Sequence, residues 1–149
     1  MKKVVLIGAL VLSALAVFAC KSQPKSSEPK SAEDELKDLY ARYSGDLILE
    51  GARSYTVVSG DTLTNIAANS EYRSGFYYPI ILLASRDVVG DVDKIEPGMV
   101  LILPDLKKNL DNPKSRTNIK QFLLEVAKIE DERDRPQTAE GLRKLSASL

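Results

Sequence analysis

Apolar and polar positions divide the chain into segments with different periods. From Val4 to Ala19 nearly every residue is apolar, and from Lys21 to Ser31 none is. Leu36, Leu39, Tyr40 and Tyr43 then recur at i, i+3, i+4 and i+7, one face of a helix. Ser31 followed by Asp34 gives that helix a capping-box-like start, with the shorter Asp in place of Glu, and Gly45 a stop. Leu47, Ile48 and Leu49 follow and need cover. A β-rich run, Tyr55 to Val58, enters a Gly60-Asp61 turn, and Leu63, Ile66 and Ala67 fall on one face of a helix over 63–69. Residues 71–75 read as a loop. A second helix begins near Tyr78-Pro79, where a first-turn proline costs little, and runs through Ile80–Ala84. A second strand spans Met99 to Leu103 and is closed by Pro104. Asn109 to Ser115 reads as a connector. Ile119, Phe122, Leu123 and Val126 mark a helix over 117–131, Pro136 breaks it, and Leu142, Leu145 and Leu149 suggest a last short helix. The class is α+β, with a central β-α-α-β order and helices on both sides.

Lys2 and Lys3 ahead of the apolar run make residues 1–19 a secretory signal. The run of sixteen residues is short for a membrane span, which needs roughly 18–20. It ends at Val17-Phe18-Ala19-Cys20, which resembles the lipobox of bacterial lipoproteins, cleaved before a cysteine that then carries lipid. Phe18 occupies a position usually small in that pattern. Ala14-Leu15-Ala16 offers ordinary signal cleavage instead, and an uncleaved anchor is the third option. Residues 20–31, a lipidated Cys20 followed by a polar stretch with Pro24 and Pro29, form a flexible linker. Eleven extended residues reach about 36–40 Å.

Charge and composition narrow the chemistry. Lys plus Arg number 21 against 21 Asp plus Glu; without Lys2 and Lys3 the balance is 19 against 21. Nothing here suits a nucleic-acid partner, which favours a basic surface. There is no histidine, and Cys20 is the one cysteine. His-dependent nucleophilic triads cannot be assembled, and the commonest ligands of a metal site are missing. No cofactor or metal site is expected, and no catalytic residue is assigned.

The spacing Tyr55-x-Val57-x-x-Gly60-Asp61-Thr62-Leu63-x-x-Ile66-Ala67, followed at a distance by Ile95-x-Pro97-Gly98-x-x-Leu101-x-Leu103-Pro104, resembles the LysM module, a small glycan-binding domain of cell walls. The resemblance covers residues 55–105, about a third of the chain, with residues 32–54 as an N-terminal helical segment and 106–149 as a C-terminal helical extension. It implies a βααβ module with a two-stranded antiparallel sheet, and a groove between the first strand–helix loop and the loop entering strand two. Carried over, the glycan-binding residues are Gly60, Asp61, Thr62 and Leu63 on one wall and Ile95, Glu96 and Pro97 on the other, with Asp93 beside them. Each also has a folding role open to it. Gly60 can supply a positive φ, Asp61 or Thr62 can cap the helix, Pro97-Gly98 suits a type II turn, and Leu63 can be core.

Two departures stand out. Members of the family commonly have asparagine near the end of the second helix, where this chain reads Ala84-Ser85-Arg86. The 69–78 loop is longer than usual and carries Phe76, Tyr77 and Tyr78, which serve either as core or as sugar-stacking platforms. The resemblance implies a non-catalytic partner for peptidoglycan and N-acetylglucosamine oligomers. Lipid on Cys20 would hold it at a membrane facing the periplasm, the outer membrane being favoured because Lys21, not aspartate, follows the cysteine. A docking or assembly factor for envelope proteins is the alternative, and an envelope hydrolase would need an acidic dyad that the sequence does not place. A fifty-residue unit without disulfides is marginal alone, so the flanking helices are expected to pack on it.

Overall fold

The structure is a computed structural model and describes residues 31–89 and 94–149. The signal, Cys20 and the linker up to residue 30 lie outside the described residues, as does Asp93. Eight elements follow in order: α1 (Ala32–Tyr43), β1 (Arg53–Thr56), α2 (Leu63–Asn69), α3 (Tyr78–Ser85), β2 (Val100–Leu103), α4 (Leu106–Asp111), α5 (Pro113–Glu132) and α6 (Pro136–Ser148). A 3-10 turn, Gly75–Tyr77, precedes α3.

The strands β1 and β2 form a two-stranded antiparallel sheet, with Arg53 opposite Leu103 and Thr56 opposite Val100. Strand one therefore lies two residues earlier than the apolar run suggests. The ladder ends at Thr56 because Val57 is already bonded to the turn before β2: its N–H donates to the Met99 carbonyl and its own carbonyl accepts from Gly98 N, both at 2.8 Å. Helix α3 is fastened to the sheet by Ser85, which is buried and whose Oγ accepts from Ile102 N at 2.8 Å. A serine thus makes the helix-to-strand tie at the end of α3.

The C-terminal region departs most from the sequence reading. Residues 109–115 are not a connector. Asp105 caps α4 by accepting from Lys108 N at 2.9 Å, and Asn112 caps α5 by accepting from Lys114 N and Ser115 N, both at 3.0 Å. Pro113 and Pro136 stand in the first turns of α5 and α6, where a missing N–H is no loss. The same residues that suggested a loop are helix starters. Asn109 is fully buried. It accepts from Ile48 N and Ser115 Oγ and donates to the carbonyls of Ile48 and Asp105, all at 2.8–2.9 Å. This ties down Ile48, and with it Leu47 is half-buried, whereas Leu49 stays exposed.

One apolar core runs through the whole described chain. Leu36 and Leu39 of α1, Ile80 and Ile81 of α3, Leu101 of β2, Phe122 and Leu123 of α5 and Leu142 of α6 all belong to it, each at most 2% exposed. Burying one such side chain is worth about 1.5–3 kcal/mol. Tyr40 and Tyr43 of α1 tilt against the Phe122 ring at 5.5 and 5.3 Å. Helix α6 reaches the module through Phe76. A Cβ on Gly141 would lie 2.1 Å from that ring, so only glycine allows the approach. Tyr77 is buried edge-on to Tyr72 at 5.7 Å, and the Tyr72 hydroxyl donates to the Pro104 carbonyl at 2.7 Å. The 69–78 loop buries Tyr77, while Phe76 meets Gly141 with one edge and stays 39% exposed.

Candidate functional site

Two turns build the site. The first leaves β1 and opens α2. Gly60 takes a φ of +90° there, a region costly for residues with a Cβ. Asp61 Oδ2 closes the turn by accepting from Val58 N and from the Tyr55 hydroxyl, each at 2.9 Å. That bond, with burial adding to it, raises the pKa of the Tyr55 hydroxyl. Thr62 is the cap of α2, with Oγ1 accepting from Asn65 N at 3.1 Å. The capping alternative therefore resolves: Thr62 caps, and Asp61 shapes the turn.

The second turn precedes β2. Met99 N donates to the Glu96 carbonyl at 3.1 Å, and Gly98 has φ +94°, as a type II turn requires at its third position. The paired bonds between Val57 and the 98–99 segment hold the two turns side by side, although about forty residues separate them in the chain.

Beside the first turn, with Ile95 from the segment that leads into the second, lies a groove of about 330 Å³. Its module side is made by Asp61, Thr62, Leu63, Thr64 and Ile95, with Tyr78 from the start of α3. Gly60, Glu96 and Pro97 belong to the turns but do not line it. Leu63 is 7% exposed, so it serves mainly as core and offers the groove only an edge. Ile95 is half-buried, while Thr62 and Thr64 are exposed. The arrangement offers aliphatic surface beside two hydroxyls, which suits an amphipathic ligand with a methyl group and hydroxyls.

Sequence reasoning missed the opposite wall. It comes from outside the module: Leu36 of α1, Glu130 of α5, Arg133 and Arg135 from the turn after α5, and Thr138 of α6. One signal was present. Glu130 continues the apolar stripe of Ile119, Phe122, Leu123 and Val126 at helical spacing, and a carboxylate on an apolar stripe needs a partner. Arg133 Nη1 lies 3.2 Å from Glu130 Oε1, Arg135 Nη1 lies 3.6 Å from Oε2, and the Tyr78 hydroxyl lies 3.3 Å from Oε1. Burial, reinforced by Glu130, pushes the Tyr78 hydroxyl well above its ordinary value, so it remains a donor.

A wider depression of about 710 Å³ lies between α1 and α5, bordered by Glu35, Asp38, Arg42, Glu125 and Lys128. It holds none of the turn residues and is a solvated, charge-paired seam, with Arg42 and Glu125 2.7 Å apart. Among the described residues no group of three or more His, Cys, Asp or Glu could hold a metal ion, and no helix is long and apolar enough to cross a membrane.

Residues 55–104, from the first residue of the Tyr55 motif to Pro104, match the family model of the LysM domain. The chain carries a LysM domain. The match covers about a third of the sequence. No curated protein and no solved structure matches the chain. The LysM domain points, at a general level, to binding of peptidoglycan and other N-acetylglucosamine-containing glycans. It is a binding domain, typically non-catalytic.

Proposed function

We propose that this chain binds the glycan strands of peptidoglycan without catalysis, in the groove lined on its module side by Asp61, Thr62, Leu63, Thr64 and Ile95, and that lipid on Cys20 makes it a tether between membrane and wall. The observation that carries the reading is the groove itself, in which Thr62, Thr64 and Ile95 come together. An acetamide methyl finds aliphatic surface at Ile95, and sugar hydroxyls find Thr62 and Thr64. Both carboxylates that face the groove already have structural work: Asp61 Oδ2 holds the turn, and Glu130 is paired with arginines. That supports binding over hydrolysis. One shallow groove binds weakly, but confinement by a lipid and a short linker raises the local concentration of sites. The location follows from the lipobox-like Cys20, and the outer membrane is the favoured face.

Co-sedimentation with purified sacculi tests the binding. The wild-type chain pellets with them. Thr62→Trp and Ile95→Asp, checked for folding by circular dichroism, stay in the supernatant. Undiminished pelleting of both variants removes the groove assignment. Incorporation of labelled fatty acid into wild type, and none into Cys20→Ala, tests the tether separately.

A further inference from the structure

We propose that two copies of the chain pair edge to edge through β1, antiparallel about Tyr55, so that their sheets join into one. The inference does not depend on which ligand the groove takes.

The two edges of the sheet differ. Arg53 and Tyr55 stand opposite Leu103 and Leu101, and Ser54 and Thr56 opposite Ile102 and Val100. Val57 is bonded to the 98–99 segment, so every second residue back from it, Tyr55 and then Arg53, bonds inward to β2. Ser54 and Thr56 turn their N–H and C=O groups outward. Ser85 checks this phase, because its Oγ reaches Ile102 N from the side away from β1. Helix α3 packs on β2 there. Among the described residues no helix or strand lies along the other edge of β1. Ser54 and Thr56 are exposed, and no hydrogen bond among the described residues reaches their outward backbone groups. An open strand edge is a template for another strand.

The neighbours of that edge fix the register. Ala52 N already donates to the Leu49 carbonyl at 3.0 Å, and Val58 N to Asp61 Oδ2 at 2.9 Å. The antiparallel pairing that uses Ser54 and Thr56 alone sets Ser54 of one copy against Thr56 of the other, with Tyr55 facing Tyr55 on a two-fold axis. An axis at Ser54 or at Thr56 would call on Ala52 or Val58, whose N–H groups are taken.

The surface beneath the edge complements itself. A groove of about 340 Å³ there is lined by Arg53, Tyr55, Asp61, Asn65 and Asn69, among others. Asn65 and Asn69 lie one turn apart on α2 and are exposed, and their carboxamides make no hydrogen bond among the described residues. A carboxamide both donates and accepts, so it can meet its own counterpart across a two-fold axis. Arg53 opens the strand and Asp61 closes the turn after it. The pairing sets Arg53 of one copy opposite Val57 of the other, beside that turn, positive toward negative at both ends. Asp61 has Oδ1 to offer, since Oδ2 holds the turn, and Arg53 meets Glu71 through one Nη at 3.1 Å. A surface that matches itself in hydrogen bonds and in charge singles out a second copy over an unrelated strand. One short strand and one helix face a side bury less than the roughly 1,200 Å² in total of a standard complex, so the pair is weak, with a dissociation constant of about 10 µM to 1 mM.

Sedimentation velocity of the full chain in density-matched detergent tests this, with Cys20→Ser to bar disulfide coupling. The dimer fraction rises between about 10 µM and 1 mM. Thr56→Pro removes an outward N–H while leaving the ladder to β2 whole, and weakens pairing by about tenfold or more. Ser54→Lys with Thr56→Lys sets like charges opposite each other across the axis and abolishes pairing, whereas Ser54→Lys with Thr56→Glu sets opposite charges there and restores it. Circular dichroism of the variants matches wild type. In a mixture of isotope-labelled and unlabelled copies, an NOE between the Tyr55 Hα atoms of the two marks the axis. A chain still monomeric at about 1 mM, a dimer indifferent to Thr56→Pro and to the paired lysines, equal loss in the two charge variants, or cross-copy contacts away from Tyr55 overturns the proposal.

Discussion

Gly98 donates its backbone N–H to the carbonyl oxygen of Val57 at 2.8 Å, and with the return bond from Val57 N to Met99 it clamps the second turn to the end of the first strand. The clamp depends on Gly98 holding φ at +94°. No atom stands within 4 Å of where its Cβ would be, so substitution costs backbone strain and not a clash. Gly98→Ala is expected to lose about 1–2 kcal/mol in chemical denaturation and to weaken glycan binding as the second turn shifts. Unchanged stability would show that the turn relaxes freely.

The extension shares its core with the module, so the two should unfold together. Phe122→Ala, a change in α5 that touches no turn residue, is expected to cost about 3–5 kcal/mol. Unfolding followed by circular dichroism and by the fluorescence of the six tyrosines should stay coincident. A fragment of residues 55–105 should melt well below the full chain. A fragment equal to the full chain in melting temperature would make the helices passengers.

Asn109 joins the segment around Ile48 to the start of α5 through two hydrogen bonds to Ile48 and one to Ser115, with a fourth to the Asp105 carbonyl of its own helix. Asn109→Ala leaves the amide and carbonyl of Ile48 without this partner. A loss of about 3 kcal/mol is expected, together with faster hydrogen exchange at Ile48. A loss below the measurement error would mean that solvent replaces the asparagine there.

Alkaline pH should destabilise the fold through its tyrosines. Burial, then the hydrogen bond to Glu125, pushes the Tyr43 hydroxyl from 10.0 up to about 12, and burial raises Tyr72 and Tyr78 as well. A group with a raised folded-state value stabilises fully below its unfolded value, and the contribution is lost as pH climbs through the folded one. Stability should therefore hold up to about pH 10 and fall between roughly 10 and 12, with tyrosinate absorbance rising late. An early rise centred near 10 would show these hydroxyls exposed.

Much of this was legible in the sequence where two signals agreed. Helix α2 begins and ends where Thr62 and the Leu63, Ile66, Ala67 stripe place it, and α3 opens at Tyr78-Pro79 as its proline suggests. Strand one slipped because Val57 and Val58 look like strand but bond as turn. Residues 109–115 misled because Asn and Pro start helices as readily as they make loops, and only the tertiary burial of Asn109 separates the two. The groove was half legible. Its module wall follows from the motif, whereas the wall of Glu130, Arg133 and Arg135 depends on α5 and α6 folding back onto Tyr78. No local spacing encodes that return.

An amide NMR titration of the full chain with chitotetraose bears most directly on the groove. Shifts should concentrate at Asp61, Thr62, Leu63, Thr64 and Ile95, saturate together, and leave the seam of Glu35, Asp38 and Lys128 untouched. Shifts confined to that seam between α1 and α5, or a spectrum that does not change, would remove the two-turn groove as the place where sugar binds.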